Sequence, residues 1–136
     1  MKSSTATTIL ITALMVFAAT PLFAHHSVAK TFDSSRPITM TGTVKEVRWL
    51  NPHASMIIDV KGTDGKISTW EVEMAAPNTL FRTGFRKETA ALSSLVTMQV
   101  WPARDGSRTA TGLLLTLADG KQFDIHDSFG DFLPRK

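Results

Sequence analysis

The 136-residue chain contains no cysteine. That excludes a disulfide framework, thiolate metal ligands and a thiol nucleophile, and leaves stability to apolar packing. Long apolar runs are missing as well. The stretch from Ile9 to Ala19 is too short and too interrupted for a spanning helix, which needs roughly 20 apolar residues. Charge of one sign is also lacking. Fifteen basic against 12 acidic side chains give a net charge of +3, and they are too well mixed to form the footprint of a nucleic-acid binder. No phosphate loop, zinc-protease motif or dinucleotide fingerprint occurs. There is no internal repeat and no low-complexity segment.

What is present starts with an export pattern. Lys2 supplies a positive start, Ile9–Ala19 the apolar stretch, and Leu22-Phe23-Ala24 a small residue at a cleavage point. Residues 1–24 are expected to be a cleaved signal peptide, and the mature protein to be periplasmic or secreted with no membrane span. Cleavage leaves 112 residues with 14 basic and 12 acidic side chains, enough for one modest domain. Residues 25–37 are expected to be an irregular leader, 38–125 the folded domain, and 126–136 a flexible tail.

Within that domain, period-two alternation marks strands. Ile38, Met40 and Val44 share one face of the first run, then Val47 and Trp49 sit one residue out of phase. A β-bulge near Lys45-Glu46 accounts for the flip, and Gly42 permits a sharp coil beside it. Asn51-Pro52 ends that run. A second strand carries Met56, Ile58 and Val60, and a third carries Trp70, Val72 and Met74, with Asp64-Gly65 as the hairpin signal between them. Pro77-Asn78 opens one or two helical turns with Leu80, Phe81 and Phe85. A fourth strand carries Val96, Met98 and Val100, and a fifth Leu113, Leu115 and Leu117. A short strand follows around Gln122–Ile125, and Asp105-Gly106 and Asp119-Gly120 mark the turns. Three strands, a short helix and two further strands predict an all-β fold with one short helix: a small five- to six-stranded OB-like Greek-key barrel. A two-sheet sandwich fits the short chain less well.

Several motifs together resemble a family of small exported bacterial proteins of unknown function. They are His25-His26-Ser27 after the signal peptide, Gly42-Thr43-Val44, Asn51-Pro52-His53-Ala54, Trp70-Glu71-Val72-Glu73, Pro77-Asn78 and Trp101-Pro102-Ala103-Arg104-Asp105-Gly106-Ser107. The resemblance spans essentially the whole mature chain. It implies a periplasmic or secreted protein of a Gram-negative bacterium and no established activity. Ala90-Ala91-Leu92-Ser93-Ser94 departs from it, because similar chains carry a Lys-Pro-Gly-Asp turn there.

The chemistry-bearing residues are few. After cleavage at Ala24, His25 offers a metal both its α-amine and its ring, and His26 follows it. One barrel histidine would complete a three-nitrogen, T-shaped site. His53, just after Pro52 at the start of the second strand, is the candidate. Nitrogen ligands suit copper, with zinc or nickel ranked behind it. Asn51 or Glu73 could orient a ligand from behind. His126, in the charged tail, is not expected to be a ligand. Equally ordinary alternatives exist: His25-His26 as a polar terminus, and His53 as a brace of the Asn-Pro turn.

Trp49, Trp70 and Trp101 are expected to fill the barrel core and its rims. Arg82, Arg86 and Lys87 beside the helix, and Arg104 and Arg108 at the hairpin, are expected to be solvated loop charges. Glu71 and Glu73 share one strand face but have no nucleophile beside them. The leading expectation is a small exported binding protein for a copper-type ion, with the ion or another exported protein as its partner. The alternative is a non-metal interaction module whose barrel groove binds a peptide, glycan or partner protein. A copper-dependent oxidative enzyme ranks last, and no catalytic residue is assigned.

Overall fold

The computed structural model describes residues 30–126. The chain divides into two units, Met1–Thr31 and Phe32–Lys136, and the fold described here is that of the second. Its strands are β1 (Ile38–Arg48), β2 (Ser55–Lys61), β3 (Ile67–Glu73), β4 (Leu95–Pro102), β5 (Thr109–Leu117) and β6 (Gln122–Asp124), with helix α1 (Pro77–Thr83) between β3 and β4. The sheet runs β3-β2-β1-β4-β5-β6, and β3 also pairs with β5. That last pairing is parallel, Glu71–Glu73 against Thr109–Thr111. It closes five strands into a mixed barrel and leaves β6 as one extra strand, the OB-like architecture that the element order predicts.

The alternation in the sequence is the inward face of this barrel. Met40, Val44, Met56, Ile58, Val72, Val96, Met98, Val100 and Leu115 are buried in one core, joined by Leu80 and Phe85 from the helical segment. The phase flip in β1 is a bulge between Val44 and Glu46. It bends the strand so that its first half pairs with β4 and its second half with β2 alone. Gly42 lies just before the bulge, opposite Val60, where an added Cβ would meet the Asp59 carbonyl oxygen at 2.9 Å. Gly42→Ala must therefore push two backbones apart. It is expected to cost about 1–3 kcal/mol, the usual range for overpacking, as a lower urea midpoint; an unchanged midpoint would show that the strands yield freely.

A second bulge, between Gln99 and Val100 against β5, was not expected from the sequence. It shifts the phase of β5, so Gly112 faces the core against Ile125 and Val72. Leu113 and Leu114 are buried too. A strand that is buried over its whole middle shows no clean period of two, so the sequence assigned Leu113, Leu115 and Leu117 to one face.

The turns follow local chemistry. Asp64 accepts a hydrogen bond from the Lys66 backbone N–H at 3.0 Å, while Gly65 takes φ +78°, a left-handed conformation that glycine adopts without penalty. Asp105 and Asp119 hold the Ser107 and Lys121 N–H groups in the same way. Helix α1 starts on Pro77 and stops at Gly84 (φ +87°), whose N–H returns to the last turn. Phe85 then drops into the core between Trp49 (6.1 Å, stacked) and Phe123 (5.4 Å, edge-on).

The ordered domain is longer at both ends than 38–125. Phe32 is buried and bridges to Ala103, and the Asp33 N–H bonds the Pro102 carbonyl oxygen. His126 is buried against Trp101, with ring centroids 5.1 Å apart, and its N–H donates to the Asp124 carboxylate. It therefore belongs to the packed structure and not to a loose tail. Residues 127–136, the rest of the expected tail, lie outside the described residues.

Asp59 on the barrel surface is one carboxylate held by its neighbours. The Thr69 hydroxyl donates to Asp59 at 2.7 Å, with Lys45 Nζ at 3.3 Å, and together they hold the Asp59 carboxyl below its ordinary value. A carboxyl lowered in the folded state stabilises above its unfolded pKa, and that contribution disappears as pH falls through the folded value. Asp59→Asn should therefore flatten the stability profile below about pH 4 in urea titrations. Profiles that stay parallel would remove Asp59 from the acid response.

Candidate functional site

The β2–β3 ladder continues past the end of β2. Ala54 N–H bonds the Ala75 carbonyl, and Met74 N–H bonds the Ala54 carbonyl at 2.8 Å. Ala54 is buried completely, so the alternation of the extended chain turns its neighbours His53 and Ser55 to the outer face. Ser55 lies opposite Glu73, which makes His53 and Glu73 diagonal cross-strand neighbours within reach of long side chains. His53 Nδ1 lies 2.8 Å from Glu73 Oε1, with both side chains about one-third exposed (34% and 38%). The Asn51-Pro52 peptide before His53 is cis.

A second set of polar contacts lies on the same face. Arg48, opposite Ser55, grips Glu46 with two nitrogens (3.0 and 3.2 Å) and reaches Glu71 with a third (3.2 Å). The Ser55 hydroxyl donates to the same Glu71 oxygen at 3.1 Å. The Glu46 carboxylate is the main cause of the raised pKa of the Arg48 guanidinium.

His53, Glu73, Arg48, Ser55 and Glu71 line a cleft of about 470 Å³, together with Phe32, Leu50, Asn51, Thr109 and Ala110. It lies where the β1–β2 loop meets β3 and the start of β5, the face on which OB barrels hold ligands. Arg48 offsets Glu71 within the cleft, so the lining charge left over is that of the Glu73 carboxylate beside His53.

A histidine that donates Nδ1–H to a carboxylate is fixed as the tautomer with its lone pair on Nε2. This is the arrangement that orients an imidazole for a metal. Among the described residues no group of three His, Asp or Glu side chains is placed to hold a metal ion. The described part of the chain thus sets one imidazole, that of His53, against Glu73, with Asn51 lining the same cleft. His25 and His26 lie outside the described residues. His126 is on other elements, with Trp101 and Asp124.

The sequence alone did not single out Arg48, Phe32 or Thr109 for this site. Arg48 could have been found from strand register, as an outward residue on the bent half of the first strand. Phe32 and Thr109 become neighbours only when the barrel closes.

The fold and the cleft define a small OB-like β-barrel with a histidine–carboxylate pair in a cleft on its outer face. Residues 13–113 match the family of unknown function DUF6152, and the chain belongs to that family. No curated protein and no solved structure gives a significant match.

Proposed function

We propose that this chain is an exported binding protein that holds a copper-type ion on the open face of its barrel, with His53 Nε2 as the barrel ligand. The observation that carries the reading is the 2.8 Å contact of His53 with Glu73, which orients one imidazole in a cleft of negative lining charge. The further nitrogens come from His25, through its α-amine and ring, with the ring of His26 as an additional ligand. Both precede Phe32, which walls the cleft, by only seven and six residues. An amine and two imidazoles favour copper above zinc or nickel. The export pattern of residues 1–24 supplies the free His25 amine and a periplasmic or extracellular setting.

The test is calorimetric titration of Cu(II) into protein beginning at His25. One tight site per chain is expected, and an extra residue before His25 should weaken it strongly. Unchanged affinity would remove the amine from the site, and binding no tighter than that of an unrelated protein would end the metal reading.

A second reading rests on the size of the cleft. About 470 Å³ falls within the 300–1,000 Å³ typical of small-molecule sites, which suits an interaction module for a peptide, a glycan or a partner protein. Failure of the copper titration would leave that reading in place.

A further inference from the structure

Away from the cleft, the segment after β3 carries a surface that the copper reading does not use. Helix α1 buries Leu80 completely and turns Phe81 outward, 59% exposed. Arg82 is exposed beside it. The Arg86 guanidinium lies 3.4 Å from the Phe81 ring centroid and donates to the Phe81 and Phe85 carbonyl oxygens. Lys87 follows and borders a second groove, of about 470 Å³, together with Leu92. Leu92 and Leu95 are 66% and 54% exposed. Arg86 thus covers the outward Phe81, and Lys87 and Lys45 share the second groove with Leu92, facing Glu46 and Glu88 there; between Phe81 and Leu95 the sequence carries three cations and one carboxylate, Glu88.

A soluble surface gains nothing from Phe81, Leu92 and Leu95 held in water. A membrane surface fits both halves of the patch. Exposed apolar side chains enter the boundary between headgroups and acyl chains, while cationic groups on long stems stay at the phosphates. We propose that this face docks the protein on membranes rich in anionic phospholipid, with Phe81 and Leu92 inserting and Arg82, Arg86 and Lys87 meeting the headgroups. Arg86, stacked on Phe81, keeps its charge beside the ring that inserts. The attachment is peripheral, since among the described residues no helix is long and apolar enough to span a membrane.

Co-sedimentation with vesicles tests this, using the protein with its metal removed by chelator so that the copper site is not involved. The chain is expected to pellet with phosphatidylcholine vesicles containing 30% phosphatidylglycerol and to stay in solution with pure phosphatidylcholine. Arg82→Gln combined with Lys87→Gln should weaken binding by about tenfold or more, given the contribution of each basic residue near an anionic surface. Phe81→Ser combined with Leu92→Ser should weaken it to a similar degree. All four positions are solvent-exposed, and circular dichroism of the variants checks that they fold. Equal binding to both vesicle types, no binding to either, or variants that pellet like the parent chain would each overturn the proposal. In the last case the apolar stretch Ile9–Ala19, or a face elsewhere, would be the membrane contact. Capture of a protein partner by this patch without vesicle binding would also overturn it.

Discussion

Phe85→Ala is expected to be the most damaging single truncation in this barrel, at about 3–5 kcal/mol of unfolding free energy. The ring is fully buried and touches aromatic neighbours from two separate parts of the chain, Trp49 just beyond β1 and Phe123 in β6. It also follows the Gly84 cap, so it fixes the end of α1 to the core. Truncation removes the apolar transfer energy, opens a cavity and breaks two aromatic contacts, each of which is worth about 0.5–1.5 kcal/mol beyond its area. A domain of this size has roughly 5–15 kcal/mol in total, so Phe85→Ala should lower the urea midpoint severely. Phe85→Leu keeps much of the volume and should cost clearly less. Equal losses for the two would mean that volume matters less here than ring geometry.

The second large effect concerns the site. Glu73→Ala is expected to weaken Cu(II) binding by about 10–100-fold, the usual cost of losing the carboxylate behind a ligating imidazole, and His53→Ala by more. Glu73→Gln keeps an oxygen that can accept the Nδ1–H bond and should fall between Glu73→Ala and the parent chain. That order separates orientation from charge. Should His53→Ala leave Cu(II) affinity intact, the barrel contributes no ligand and the ion belongs to the terminal histidines alone. Because His53 and Glu73 are each about one-third exposed, neither substitution should disturb folding much, and the affinity change reads the site directly.

Most of the fold was legible in the sequence because β1 to β4 bury one face each. Met56, Ile58 and Val60 share one face, with Ser55, Asp59 and Lys61 on the other and only Ile57 out of pattern, and a half-buried strand needs little more to be recognised. The bulge at Lys45 was legible for the same reason, since a phase flip between Val44 and Val47 has few other causes. The bulge at Gln99–Val100 was not, because β5 is buried through Leu113, Leu114 and Leu115 and carries no alternation to interrupt. His126 was misplaced by its charged neighbours in sequence, which say nothing of the Trp101 ring that meets it across the fold.

At the site, the sequence offered His53 with Asn51 or Glu73 as its support. Only the register of β2 against β3 shows that Glu73 is the one on the correct diagonal. The Arg48–Glu71 bridge depends on three strands at once and could not be seen before their order was known.

The parallel pairing of β3 with β5 also sets an order of events. A chain delivered from its N-terminus, by the ribosome or across a membrane, first presents β1, β2 and β3 as an open meander. Met56, Ile58 and Val72 on its apolar face have nothing to cover them until β4 and β5 arrive. Glu71–Glu73 must wait for Thr109–Thr111, and Ala75 must wait for the carbonyl of Ile125. Contacts so distant in sequence form slowly, and exposure to proteases and to aggregation is concentrated in that interval. The cleft follows the same schedule. Its wall at Thr109 and Ala110 exists only in a barrel that has closed, so the cleft takes shape only once β5 has joined β3.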